Sequence, residues 1–315
     1  MTEAVRVRNL VKRYKKTKIN AVNDISFSVA EGAFFALLGP NGAGKTTTIS
    51  ILTTTLTKTS GVVEIAGFDA ERAAGEVRRR IGVIFQTPSL DKNLTAEENI
   101  RFHAALYGLF PFRPIYALMP KTYKTRVASL AELLGIRENI FQPIHTFSGG
   151  MKRKLEIIRG LMHRPRVLFL DEPTTGLDPI SRKGVWNYLQ EVRKEERTTI
   201  FLTTHYLEEA EDADNICIIN RGKIVASGTP ENIRKTLVNT YLQMDAKDRH
   251  KLVTELARLK LQPEGNGPFR ILLQNGIHPQ KIIRSIRTPL TLLNIHLPTL
   301  EEAYIEIIGE HHADA

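Results

Sequence analysis

Nine residues, GPNGAGKTT from Gly39 to Thr47, carry the most explicit chemistry in the chain. They fit the spacing G-x-x-x-x-G-K-[ST]. The glycines let the backbone curl until several N–H groups point at one phosphate chain. The Lys45 ammonium is then placed to reach the β- and γ-phosphates of a nucleotide, and the Thr46 hydroxyl to bind a Mg²⁺ ion. Such a loop needs a strand before it and a helix after it. AFFALL precedes it and TTTISIL follows.

Other polar residues close apolar runs in the same way. RVLFLDEP (Arg166 to Pro173) ends on Asp171 and Glu172. A carboxylate at Asp171 suits a hard divalent cation, and Glu172 beside it suits a base for water. Alone, the pair would be a solvated strand end; beside a phosphate loop it becomes a hydrolytic candidate. TTIFLTTH ends on His205 and RIGVIFQ on Gln86, at the sheet edge where open α/β folds bind ligands. His205 there can hydrogen-bond a γ-phosphate or the attacking water, whereas Gln86 by itself means little. Tyr14, in LVKRYKK, is either a base-stacking ring or a surface tyrosine.

HTFSGGMKRKLEII (His145 to Ile158) reads as a helix with Lys152, Arg153 and Lys154 in its first turn. Cations are badly placed on the positive end of a helix, so an anion is expected nearby. Met151, Leu155, Ile158 and Met162 form one apolar face, with Lys152, Arg153, Lys154 and Arg159 elsewhere. Ser148 can donate its hydroxyl, and Gly149 and Gly150 their N–H groups. The alternative is an ordinary surface helix capped by Ser148.

Elements capable of positioning these groups follow from the patterning. VRVRNL alternates, and ISFSVAEGAFFALLG reads as two strands around Glu31-Gly32. RIGVIF, RVLFLD and TTIFLTTH are apolar on both faces, as central strands covered by helices are. GVWNYLQEVRKEE (Gly184 to Glu196) is helical in pattern, and strand-helix alternation argues for a parallel α/β core. NICIINRGKIVASG reads as a hairpin turning at Arg221-Gly222, with the lone cysteine, Cys217, as core filler. The composition changes after GTPENI, which divides the chain into 1–230 and a small accessory domain, 231–315.

The order of these motifs resembles the ATP-binding subunit of ABC transporters over roughly residues 4 to 230. The resemblance implies an α/β P-loop NTPase core of ABC ATPase type: a parallel sheet flanked by helices, an N-terminal antiparallel β subdomain and a helical signature subdomain. To this is added a small C-terminal α+β domain. It implies ATP and Mg²⁺ as ligands. Tyr14 would stack on adenine, and Gly39, Pro40, Asn41, Gly42, Ala43, Gly44, Lys45, Thr46 and Thr47 would hold the phosphates. Thr46, Gln86 and Asp171 would attend the metal, with Glu172 as general base and His205 at the γ-phosphate. Two subunits would pack head to tail, a homodimer in the simplest case. Ser148, Gly149 and Gly150 would then act on the partner's ATP, with Asp178 in TTGLDP at the contact. Phe147 and Met151 depart from the commonest signature, Leu-Ser-Gly-Gly-Gln. Met151 is similar to the daunorubicin-resistance type of exporter subunits, as is the tail PTLEEAYIEIIGE (Pro298 to Glu310).

With 315 residues and 42% hydrophobic content the chain can bury a large core. Its 44 Lys and Arg against 34 Asp and Glu permit a nucleic-acid or ribosome-associated ATPase. Such proteins usually carry two cassettes or a long coiled coil, and neither pattern is present, so no nucleic acid is expected. No secretory signal or bilayer-spanning run is visible. The expectation is therefore a motor on the cytoplasmic face of the membrane, held there by a separate permease. YGLFPFRPIYALMPKTY (Tyr107 to Tyr123) carries prolines 111, 114 and 120, which rule out one continuous helix. Its aromatic and aliphatic side chains either fold back on the helical subdomain or dock a partner.

Overall fold

The computed structural model describes residues 2–15, 17–87, 89–237, 241–273, 279–296 and 299–313. Two compact units are present, Met1–Thr229 and Pro230–Ala315.

In the first unit, a six-stranded sheet holds the core. Its spatial order is Lys223–Gly228, Asn215–Asn220, Phe34–Leu38, Thr199–Thr204, Val167–Asp171, Ile81–Ile84. All neighbours are parallel except the edge pair Lys223–Gly228 and Asn215–Asn220. Every residue of Phe34–Leu38, Val167–Asp171 and Thr199–Thr204 is buried, as expected of strands covered on both faces. The edge hairpin turns at Arg221 and Gly222, both with positive φ, the conformation a two-residue turn requires.

A second, antiparallel sheet runs Asn20–Ala30, Glu3–Arg13, Ser60–Ile65, Phe68–Asp69. The two strands flanking Glu31-Gly32 therefore part company. Asn20–Ala30 pairs with Glu3–Arg13, while Phe34–Leu38 enters the parallel sheet. Alternation explains the split: Asn20–Ala30 has partly solvated positions, whereas FFALL has none. The two sheets share a core that includes Leu10, Ile25, Phe35, Leu37, Ile49 and Phe169.

Helices Ala96–Leu106, Lys121–Leu133 and Gly149–Leu161 make the helical subdomain. The first opens on a capping box, Thr95 and Glu98 bonding reciprocally. The second unit is α+β. Strands Phe269–Leu272, Tyr241–Ala246 and Leu290–His296 form its sheet, and Leu242, Met244, Leu252, Leu256, Ile271 and Ile282 share one core. The tail motif becomes the helix Leu300–Ala313, with Leu300, Ala303 and Ile307 buried; Pro298 lies outside the described residues.

Candidate active site

The phosphate-loop sequence turns between the strand Phe34–Leu38 and the helix Lys45–Leu52. Two glycines are sterically required there. A Cβ on Gly39 would lie 2.3 Å from the Ile219 carbonyl oxygen. On Gly44, whose φ is +112°, it would lie 2.5 Å from that of Ala21. Gly44 caps the helix without a side-chain acceptor, and no acidic residue occupies the first turn. The first-turn N–H groups thus keep their affinity for an anion.

Lys45 is buried, and its Nζ donates to the carbonyls of Gly39 at 2.7 Å and Pro40 at 3.2 Å. Burial pulls its pKa down, against the opposing pull of Glu172 and Asp171. Across the loop stands Glu172, with Oε1 3.7 Å from Lys45 Nζ. Its Oε2 accepts from Gln86 Nε2 at 3.2 Å and lies 3.3 Å from His205 Nδ1. Three residues singled out in the sequence thus meet at the carboxylate of a fourth.

Glu172 has φ +46°, in the left-handed region. That conformation costs a non-glycine residue about 1–3 kcal/mol and persists where surroundings over-determine it. Its N–H donates to Thr203 O at 2.9 Å, and its carbonyl accepts from Thr175 N at 3.3 Å. The turn lifts the side chain off the strand end toward Lys45.

Asp171 is buried on the last residue of its strand and accepts from the Thr203 hydroxyl. Burial raises its pKa, opposed by Thr203, Lys45 and a hydrogen bond from Thr46. Thr46, Asp171 and the Gln86 amide are hard oxygen donors, but no cluster of three or more His, Cys, Asp or Glu able to hold a metal exists among the described residues. A donor set with one buried carboxylate and a hydroxyl fits a small cation that brings other oxygen ligands with it.

Tyr14 is half-exposed beside the loop, its hydroxyl 3.2 Å from Thr47 Oγ1 and Lys12 Nζ 5.4 Å above its ring. The remaining candidates form a separate group. Ser148 caps Gly149–Leu161, accepting from Met151 N at 3.2 Å. Asp178 caps Pro179–Glu196, accepting from Ile180 N and Ser181 N at 3.1 and 3.0 Å. The two helix starts are neighbours, since a Cβ on Gly150 would lie 3.1 Å from Ser181 Oγ.

One expectation is corrected. Arg153 is not a cation waiting at the helix end for an anion. It is buried, and its guanidinium is consumed by Glu156, Phe85 O, Pro173 O and Asp171 O. Arg153 points into the fold, toward the main-chain carbonyls of Phe85, Asp171 and Pro173. Its partner at i+3, Glu156, was the available signal. Thr203, the other residue the sequence reading passed over, stood in the TTH run.

The connection from Tyr107 to Tyr123 divides. Met119 and Tyr123 are buried, and the Tyr123 hydroxyl donates to Glu97 Oε1 at 2.9 Å. Phe112, Ile115 and Leu118 remain 51%, 54% and 58% exposed. Among the described residues no helix is long and apolar enough to cross a membrane.

A family described as ABC transporter matches residues 22–175. Over 260 residues the chain is 38% identical to the doxorubicin resistance ATP-binding protein DrrA of Mycobacterium tuberculosis, covering 81% of this chain and 76% of that protein. Over 322 residues it is 33% identical to the Nod factor export ATP-binding protein I of Ralstonia nicotianae, covering 99% and 96%. A solved ATP binding subunit of an ABC transporter superposes with TM-score 0.64 at 30% identity, covering 74% of this chain and 92% of that one. The chain therefore belongs to the ABC transporter ATP-binding proteins and is an ATPase of that family.

Proposed function

We propose that this chain is the motor of an export system, closing head to tail with a second copy around two ATP molecules and driving a separate membrane permease. The observation that carries the chemistry is the convergence of Lys45, Gln86 and His205 on the Glu172 carboxylate. Water attacks the γ-phosphorus, a P–O bond forms, and the bond to ADP breaks. Glu172 takes the proton from that water, while Gln86 and His205 fix its position and Lys45 holds the phosphate oxygens. Thr46, Asp171 and Gln86 would hold a Mg²⁺ arriving with the nucleotide, which would supply charge neutralisation for the phosphates.

Tyr14 is the proposed adenine platform, at the mouth of the loop. Ser148, Gly149 and Gly150 are the proposed contacts to the partner's ATP, with Asp178 beside them at the dimer contact. Residues 1–230 would form the ATP-binding domain and 231–315 an accessory domain. Export is supported by the names of the relatives, one a doxorubicin resistance protein and the other a Nod factor export protein. A peripheral place on the cytoplasmic face of the membrane, through the permease, follows from that role.

The test is affinity purification of the full chain from detergent extracts of its own membranes. A polytopic membrane protein in stoichiometric yield is expected. Recovery of the chain alone, or with nucleic acid, would overturn the export reading.

A further inference from the structure

Arg153 and Glu156 form a buried pair on the first two turns of Gly149–Leu161, joined at 2.9 Å. What surrounds the pair is unusual for a structural ion pair. Arg153 Nη1 donates to Phe85 O at 2.6 Å, the carbonyl just before Gln86. Arg153 Nε donates to Pro173 O, and Nη2 reaches Asp171 O at 3.5 Å, so the guanidinium touches the main chain on both sides of Glu172. Glu156 Oε1 accepts from Ser89 N at 2.9 Å, on the far side of Gln86. Arg159, one turn on, donates to Ser89 O at 2.8 Å.

We infer that Arg153, with Glu156, is a positioning residue that couples the helix carrying Ser148 to the main-chain segments carrying Gln86 and Glu172. The inference rests on the proposed roles of Glu172 as base and of Ser148 as contact to a partner's ATP.

Three physical arguments support it. A helix is stiff, and Arg153 lies only five residues, about 7.5 Å of rise, from Ser148. Any displacement of the helix start therefore carries the guanidinium with it. Second, the direction of the Glu172 side chain is set by a left-handed backbone turn, and Arg153 holds the carbonyls on either side of that turn. Third, a buried ion pair is a poor stabiliser compared with apolar side chains of the same volume, because both charges are desolvated. The guanidinium fork offers what an apolar residue cannot: fixed donors in several directions at once.

The test uses full-length chains. Arg153→Lys keeps the charge and loses the fork. Turnover should fall about tenfold or more, while KM and nucleotide affinity of the isolated chain change less than about twofold. Glu156→Gln should cost less, and the double variant should be no slower than Arg153→Lys alone, since both act through one unit. In a Glu172→Gln background, Arg153→Lys should still dimerise with ATP as the parent does.

Four results would overturn the inference: nucleotide affinity falling in step with turnover, turnover falling only in step with the folded fraction, strictly additive losses in the double variant, or failure of the Glu172→Gln, Arg153→Lys chain to dimerise. Failure of the underlying reading is separate. It would appear in the parent, as turnover retained by Glu172→Gln or no ATP-driven dimer from it.

Discussion

Lys45 and Glu172 face each other at 3.7 Å although the strands that deliver them are not neighbours. Between Phe34–Leu38 and Val167–Asp171 lies Thr199–Thr204. That middle strand contributes His205 just past its end, and its Thr203 binds both Asp171 and the Glu172 N–H. The ammonium, the carboxylate and the imidazole beside them thus come from three consecutive strand ends, the edge where open parallel sheets bind ligands.

Glu172→Gln keeps the shape of the side chain and its hydrogen bond to Gln86, and removes the proposed base. Turnover should fall by about 10²–10⁴-fold, with ATP binding retained. Steady-state hydrolysis and equilibrium nucleotide binding measure the two effects. Near-normal hydrolysis would remove Glu172 from the role.

Asp171 predicts a trade between stability and function. Burial raises its pKa in the folded chain above the ordinary value of 3.8. The folded state therefore holds the proton more tightly than the unfolded one. Below the ordinary value both states are protonated and the group is neutral toward folding. As pH rises from the ordinary value toward the raised one, the unfolded chain gives up its proton first and stability is lost, the loss being complete once the buried carboxylate ionises as well. Asp171→Asn still accepts from Thr203 but never ionises. Its melting temperature should exceed that of the parent near neutrality, and the gap should close on acidification. Activity should be lost at every pH. A gap that widens toward acid would contradict this sign.

Much of this site was legible in sequence because its residues end apolar runs. GPNGAGKTT, LDEP, FLTTH and VIFQ each mark a strand end, and parallel strands bring such ends to one edge. Arg153 was misread for a physical reason. Helical periodicity places a side chain on a face but does not say what lies across from it. An arginine opposite main-chain carbonyls looks, in sequence, like one opposite water. The two strands around Glu31-Gly32 were legible, but not that they enter different sheets: a tight turn joins two strands without saying that they share one.

Ser148 tests whether the second group of residues acts on another subunit. Asp caps a helix as well as Ser, so Ser148→Asp should fold normally. Its carboxylate would, however, repel a partner's γ-phosphate. Nucleotide binding by the isolated chain should be unchanged and ATP-driven dimerisation lost. Mixed with a Lys45→Ala chain, it should form at most one working site per heterodimer. Loss of ATP binding by the isolated Ser148→Asp chain would place Ser148 at its own nucleotide instead.

The last prediction concerns Phe112, Ile115 and Leu118. The connection that holds them cannot be helical through Pro111, Pro114 and Pro120. Tyr116 packs edge-on against Phe141, ring centroids 5.1 Å apart, and Met119 and Tyr123 are buried, so the segment is anchored from within. Anchoring fixes the three apolar side chains in an exposed position rather than letting them fold away. Arg101 adds to it by donating to the carbonyls of Arg113 and Pro114, both at 2.6 Å. A rigid, proline-braced loop showing three apolar side chains beside Arg113 has the composition of a protein contact. We expect the triple substitution to Ser to leave the melting temperature within a few degrees, since exposed side chains contribute little. Nucleotide binding should also survive, while co-purification with the proposed permease should fail. A large loss of stability with the partner still bound would show instead that these side chains serve the subdomain's own packing.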